Sequence, residues 1–154
     1  MSVRDTARKQ NLRIVERTSG QLRNLHQPKS GWLALLRHAL GMSGAQVAAR
    51  MGVSRNAIYQ AEGNERDGAI TIAQMRKMAD AMNAEFVYAL VPKSSVDDVI
   101  RTQALQKAEA LVRRARAQMA LESQSLSNEQ TKQWIEDLAD ELVRNMPRDF
   151  WETK

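Results

Sequence analysis

Residues 43–63 read Ser-Gly-Ala-Gln-Val-Ala-Ala-Arg-Met-Gly-Val-Ser-Arg-Asn-Ala-Ile-Tyr-Gln-Ala-Glu-Gly. This stretch decides the fold, because it predicts two short helices joined by a tight turn. Ser43 is placed to cap the first helix, and Gln46, three residues on, completes a capping box. Val47, Ala48 and Met51 give that helix a small apolar face. Gly52 is its stop, glycine being the residue that enters the left-handed conformation at little cost. Val53 is expected as a buried plug of the turn, and Ser54 caps the next helix. Ala57, Ile58 and Ala61 then point inward, leaving Arg55, Asn56, Tyr59 and Gln60 outward. Arginine, asparagine, tyrosine and glutamine on the exposed N-terminal half of a helix suit the base edges of a DNA major groove.

Before this stretch, residues 2–25 predict a helix, with Val3, Ala7, Ile14, Val15, Thr18, Leu22 and Leu25 on one side. Arg4, Arg8, Lys9, Arg13 and Arg17 crowd the other. Two readings stand together: a basic arm along DNA phosphates, or an amphipathic helix packed on the body. Ser19-Gly20 is a candidate early break, and His26 to Gly31 marks the entry to the central domain. Trp32 to Leu40 predicts a core helix burying Trp32, Leu33, Leu36, Ala39 and Leu40, ended by Gly41.

Beyond it, Asn64 to Gly68 reads as a polar loop. Thr71 caps a helix, with Gln74 in the capping-box position, and its apolar stripe is Ile72, Met75, Met78, Ala79 and Met82. Residues 85–91, Glu-Phe-Val-Tyr-Ala-Leu-Val, end the helical pattern. The run is β-branched and aromatic and is closed by Pro92, so it predicts a short strand. A lone strand leaves its backbone groups unpaired, and the simplest partner is the same strand in a second copy. Ser95 to Glu122 predicts a long helix, and Ser127 opens a last one to about Arg144, followed by an aromatic tail, Phe150-Trp151.

The organisation expected is mainly α: a basic N-terminal helix or arm over 1–30, a DNA-binding domain over 31–92, and a helical dimerisation or partner-binding region over 93–154. The net charge of +5 is unevenly spread. Residues 1–30 hold seven basic and two acidic residues, residues 31–92 six and five, and residues 93–154 ten and eleven. A basic balance favours an acidic partner such as double-stranded DNA. The chain has no cysteine, which excludes disulfides and thiolate chemistry. The two histidines, His26 and His38, lack a ligand partner at helical spacing, so no metal and no cofactor are expected. No glycine-rich phosphate loop and no converging carboxylates point to an enzyme. No transmembrane run or signal peptide is visible, so a cytoplasmic protein without membrane contact is expected.

The segment Trp32 to Leu90 resembles the Xre/λ-repressor-like helix-turn-helix family. The residues that carry the likeness are Gln46-Val47-Ala48, Gly52-Val53-Ser54, Ile58 and Glu62. The resemblance implies a five-helix domain in which Arg55 and Asn56 read bases and Gln46 touches phosphate and braces the recognition helix. The family often has a Gln-Gln pair at the reading positions; Arg-Asn departs from it, so the operator sequence does not carry over. The whole chain looks like the branch named mobile mystery protein A, through Trp32-Leu33, Phe86 to Pro92, Met119 to Glu122 and the tail around Trp151. Members of that branch are typically encoded beside a Fic-domain protein, which implies an antitoxin-like or autoregulatory role.

The expectation is therefore a sequence-specific transcriptional repressor, a homodimer controlling its own operon. Arg55, Asn56, Tyr59 and Gln60 would read bases. Ser43, Gln46, Ser54, Asn64 and Arg66 would hold phosphates, with Arg4, Arg8, Lys9 and Arg13 adding sequence-independent affinity. The alternative is a protein-binding antitoxin whose C-terminal helices mask a Fic-domain partner. A third reading is a nucleoid-associated binder without sequence preference.

Overall fold

The computed structural model describes residues 2–152. Among them are seven helices and no strand: α1 (Val3–Leu22), α2 (Trp32–Ala39), α3 (Gly44–Met51), α4 (Arg55–Asp67), α5 (Ile72–Ala81), α6 (Val96–Leu121) and α7 (Asn128–Asn145). They divide into two compact units, one of residues 21–90 and one of residues 1–20 with 91–154.

The unit 21–90 is built on capping chemistry that the local sequence specifies. Ser43, Ser54 and Thr71 each accept a backbone N–H three residues on, opening α3, α4 and α5. At Ser43 the box is complete, since the Gln46 side chain accepts the Ser43 N–H at 2.7 Å. Gly52 closes α3 with φ 68°, in the left-handed region. The helices bury Leu33, Val47, Ala48, Ile58, Ala61, Met75, Met78 and Met82 as one core, with Leu36, Met42, Met51, Ile70 and Phe86 packed against it. The methionines, unbranched and polarizable, fill the space between α5 and α3.

Four whole helices occupy this unit where the resemblance implies five. The strand expected over 85–91 does not form in the single chain: none of its backbone groups enters a backbone–backbone hydrogen bond among the described residues. A ladder needs two strands, and the described residues offer no second extended segment paired with this one.

Several expected faces turn differently. Val53 is 42% exposed, so Ile58 rather than Val53 plugs the turn. Trp32, Ala39 and Leu40 lie on the outer side of α2, and Leu33, Ala34 and Arg37 are its buried residues. Ile72 faces solvent as well. The polar run 64–67 is helical, not a loop. It belongs to the last turns of α4, and Gly68, at φ 77°, is the stop. Glu65 explains the extension: its carboxylate is buried and must be held in register to bond the start of α2.

In the other unit α6 and α7 pack side by side over Ala104, Ala108, Ala139, Leu142 and Phe150. The small alanines let the two helices approach closely, and the fully buried Phe150 ring closes the end of that core. Gln103 fixes the tail by donating to the Phe150 carbonyl at 2.8 Å. Ser95 caps α6, and Ser127 with Gln130 forms a second complete capping box at α7. Helix α1 runs through Ser19-Gly20 unbroken, and Ser19 donates its hydroxyl to the Val15 carbonyl at 2.7 Å. Val3, Ile14 and Leu25 are exposed. The face of α1 turned to its unit carries Val15 of the expected stripe together with Leu12 and Glu16, and Glu16 accepts the Val96 N–H at 2.8 Å.

Candidate nucleic-acid interface

The candidate interface is the outer face of α3, the turn at 52–54 and α4. An α-helix advances about 100° per residue. On α4 that spacing sends Ile58, Ala61, Glu62 and Glu65 to one side, and all four are buried. Arg55, Asn56, Tyr59 and Gln60 fall outside that side, within a sector of about 140° that begins beside Glu62. All four are exposed, and no hydrogen bond or ion pair holds Arg55, Asn56 or Gln60 among the described residues. Arg55 and Asn56 occupy the first turn of α4, where the unsatisfied N–H groups and the helix dipole favour an anion.

The capping serines have donors to spare. Ser54 accepts from Ala57 N–H at 3.2 Å and Ser43 from Gln46 N–H at 3.2 Å. Each hydroxyl is thus an acceptor in the cap and keeps its own proton to donate outward. Gln46 spends its side-chain oxygen on Ser43 N–H, which leaves its amide NH2 as a donor. Ser43, Gln46 and Ser54 are all exposed. Three phosphate-type donors therefore sit at the N-terminal ends of the two helices.

Tyr59 differs from its neighbours. It is 45% exposed, and its ring lies over the start of α3. A Cβ added to Gly44 would come within 2.6 Å of the Tyr59 Cζ, so the ring keeps its place over α3 only with glycine there. The Arg37 guanidinium carbon lies 5.5 Å from the ring centroid on a cation–π contact. Asn64 and Arg66 lie in the last turns of α4 rather than in a loop. The Asn64 carbonyl accepts the N–H groups of Gly68, Ala69 and Ile70 and so closes the helix. Arg66 is exposed on the Arg55 side, roughly 16 Å further along the axis.

Arg4, Arg8, Lys9 and Arg13 are exposed on α1, in the other compact unit. Arg8 and Lys9 line a groove of about 950 Å³ with Leu12, Val15, Ile100 and Val143. Charges of both signs rim this groove, among them Asp97, Asp98 and Arg144.

Two supports of the interface were not legible as function in the sequence. Arg37 and Glu62 form a buried pair, with Nε to Oε1 at 2.5 Å and Nη2 to Oε2 at 3.1 Å. That hydrogen bond holds the Arg37 guanidinium above its ordinary pKa, outweighing the opposing effect of burial. Glu65 accepts Trp32 N–H at 2.6 Å and Leu33 N–H at 2.9 Å, capping α2 from α4. The available signal was the spacing: two carboxylates three residues apart in the apolar sector of α4 demand buried partners. Among the described residues no group of His, Cys, Asp or Glu could hold a metal ion, and no helix is long and apolar enough to cross a membrane. No protein-family model, no curated protein and no solved structure matches this chain.

Proposed function

We propose that this chain is a sequence-specific DNA-binding transcriptional regulator of the Xre/λ-repressor-like helix-turn-helix type. In this reading it is cytoplasmic and works as a homodimer that represses its own operon. One observation carries the reading. The pair α3–α4 is held from behind by buried contacts at Ile58, Glu62 and Glu65, and presents three polar side chains in front that make no side-chain hydrogen bond or ion pair among the described residues.

Arg55 is the residue for guanine O6 and N7, and Asn56 for adenine N6 and N7 or a neighbouring phosphate. Gln60 reaches a further base. Tyr59, leaning on Gly44, contributes its hydroxyl at the edge of this surface and packs as much as it reads. Ser43, Gln46 and Ser54 hold phosphates, and Arg66 meets the backbone further along α4. Two such helices related by a two-fold axis would meet successive major grooves, with half-sites about 10 bp apart.

The test is a titration of the full chain against its own upstream DNA and against scrambled DNA, by fluorescence anisotropy at two salt concentrations. Preference for the upstream fragment, lost in Arg55→Ala, is the expected result. Equal affinity for both fragments at both salt concentrations would overturn the sequence-specific reading in favour of binding through phosphates alone.

A further inference from the structure

We propose that the non-helical segment 85–93 is a dimer seam. It pairs antiparallel with the same segment of a second copy, Ala89 opposite Ala89 on the two-fold axis. The inference does not rest on the DNA-binding reading and is measured without DNA.

The backbone supplies the first reason. After Ala84, whose N–H donates to the Ala79 carbonyl at 2.8 Å, residues 85–93 enter no backbone–backbone hydrogen bond among the described residues. The run thus has unpaired backbone groups along its length, and its apolar stretch 86–91 includes the β-favouring Phe86, Val87, Tyr88 and Val91, which is a template for strand addition. The side chains supply the second. Val87 is 77% exposed, Tyr88 62% and Leu90 91%. Phe86 packs on the core of its unit and stacks on Tyr88, ring centroids 5.7 Å apart. Contact between residues i and i+2 on one side is the alternation of an extended chain. Phe86 therefore anchors the segment, while its backbone edge, with Val87 exposed on one face and Tyr88 and Leu90 on the other, is left for a partner.

Register supplies the third reason and names the occupant. Centring the pair on Ala89 sets Glu85 opposite Lys93, Val87 opposite Val91 and Tyr88 opposite Leu90. By symmetry the Glu85–Lys93 pair occurs twice. Of the antiparallel registers of two identical segments, this one alone pairs the acid with the base. Pro92 then decides the hydrogen-bonding phase. It lies three positions from the centre, opposite Phe86, and it has no N–H. Hydrogen-bonded and non-hydrogen-bonded pairs alternate along an antiparallel ladder. If Ala89 is a hydrogen-bonded pair, so are Val87–Val91 and Glu85–Lys93, and Pro92 falls on a non-bonded position where its missing donor costs nothing. A second copy thus satisfies both the charges and the proline in one alignment.

The absence of cysteine makes the register directly measurable. In the full chain, Ala89→Cys should form a covalent dimer on mild oxidation, because only position 89 meets itself. Val87→Cys and Val91→Cys should not when oxidised singly, but should cross-link when mixed. Sedimentation equilibrium of the unmodified chain should show a dimer. Ala89→Pro should make it monomeric with unchanged helical circular dichroism, since that N–H has no backbone partner among the described residues. Glu85→Lys and Lys93→Glu should each weaken the dimer about tenfold, and the double exchange should restore it. A monomer at all concentrations, a dimer indifferent to Ala89→Pro, or cross-linking by Val87→Cys in preference to Ala89→Cys would each overturn the proposal.

Discussion

The Arg37 guanidinium donates two hydrogen bonds to the Glu62 carboxylate, at 2.5 and 3.1 Å, with both side chains more than nine-tenths buried. This fork joins α2 to the helix that carries Arg55 and Asn56, and Arg37 adds a third bond to the Met42 carbonyl just before α3. Removing one partner strands the other charge in the interior. Glu62→Ala and Arg37→Ala should each destabilise the unit 21–90 by about 3–5 kcal/mol. Replacing both residues with apolar side chains of similar volume should cost far less. Urea unfolding followed by circular dichroism checks the non-additivity.

Two glycines face side chains and should respond differently to alanine. At Gly31 the backbone has φ 81° and ψ 160°, a region that essentially only glycine enters, and an added Cβ would meet the Glu65 carboxylate at 2.8 Å. Gly31→Ala should therefore cost about 2–4 kcal/mol, because backbone strain adds to displacement of the α2 cap. At Gly44 the neighbour is the far end of the Tyr59 ring, which can swing into solvent. Gly44→Ala should shift stability by less than about 1 kcal/mol while moving the Tyr59 ring signals in NMR.

Arg55 stands exposed in the first turn of α4, with no side-chain hydrogen bond or ion pair among the described residues. Arg55→Ala should leave stability within about 0.5 kcal/mol. If Arg55 reads a guanine, the substitution should weaken operator binding by about 1–3 kcal/mol and relax one base position. Selection of preferred sequences by the variant, compared with the parent, distinguishes this from uniform weakening by a lost phosphate contact.

The tail beyond α7 is a structural element. Phe150 is fully buried against Ala104, Ala108 and Ala139, whereas Trp151 is 54% exposed at its edge. Phe150→Ala should destabilise the unit containing α6 and α7 by about 3–5 kcal/mol. Trp151→Ala should cost about 1 kcal/mol or less. Thermal unfolding of the two variants side by side gives the comparison.

Asp5 opens α1 by accepting hydrogen bonds from Ser2, the hydroxyl at 2.7 Å and the backbone N–H at 3.2 Å. The Ser2 hydroxyl bond, followed by the Ser2 backbone bond, holds the Asp5 carboxyl below the usual carboxylate range. A depressed pKa in the folded state favours the ionised form. The cap is thus fully present above the unfolded carboxylate pKa and is lost as the pH falls through the lower folded value. The Asp5 and Thr6 amide signals should stay constant from neutral pH into the mildly acidic range and move only below it.

Local structure was legible where one residue type has one job. Ser43 with Gln46, Ser54, Thr71, Ser95 and Ser127 with Gln130 mark helix starts, and Gly52 marks a stop, because a hydroxyl, an amide and a missing Cβ act within four residues of chain. Helix ends governed by distant partners were not legible. The run Asn64 to Asp67 has loop composition, yet it is helical, because Glu65 is required 2.6 Å from the Trp32 amide.

Sequence alone thus determined a mainly helical chain, the α3–turn–α4 pair and the outward side of α4, since periodicity and capping are properties of neighbouring residues. Only the tertiary structure decided that Val53, Trp32 and Leu40 face outward and that Arg37, Glu62 and Glu65 are buried. It also decided that residues 85–91 have no ladder among the described residues. The physical reason is common to all three. Burial and pairing depend on what lies across the core, and a helical stripe specifies that a face is apolar without specifying what will cover it.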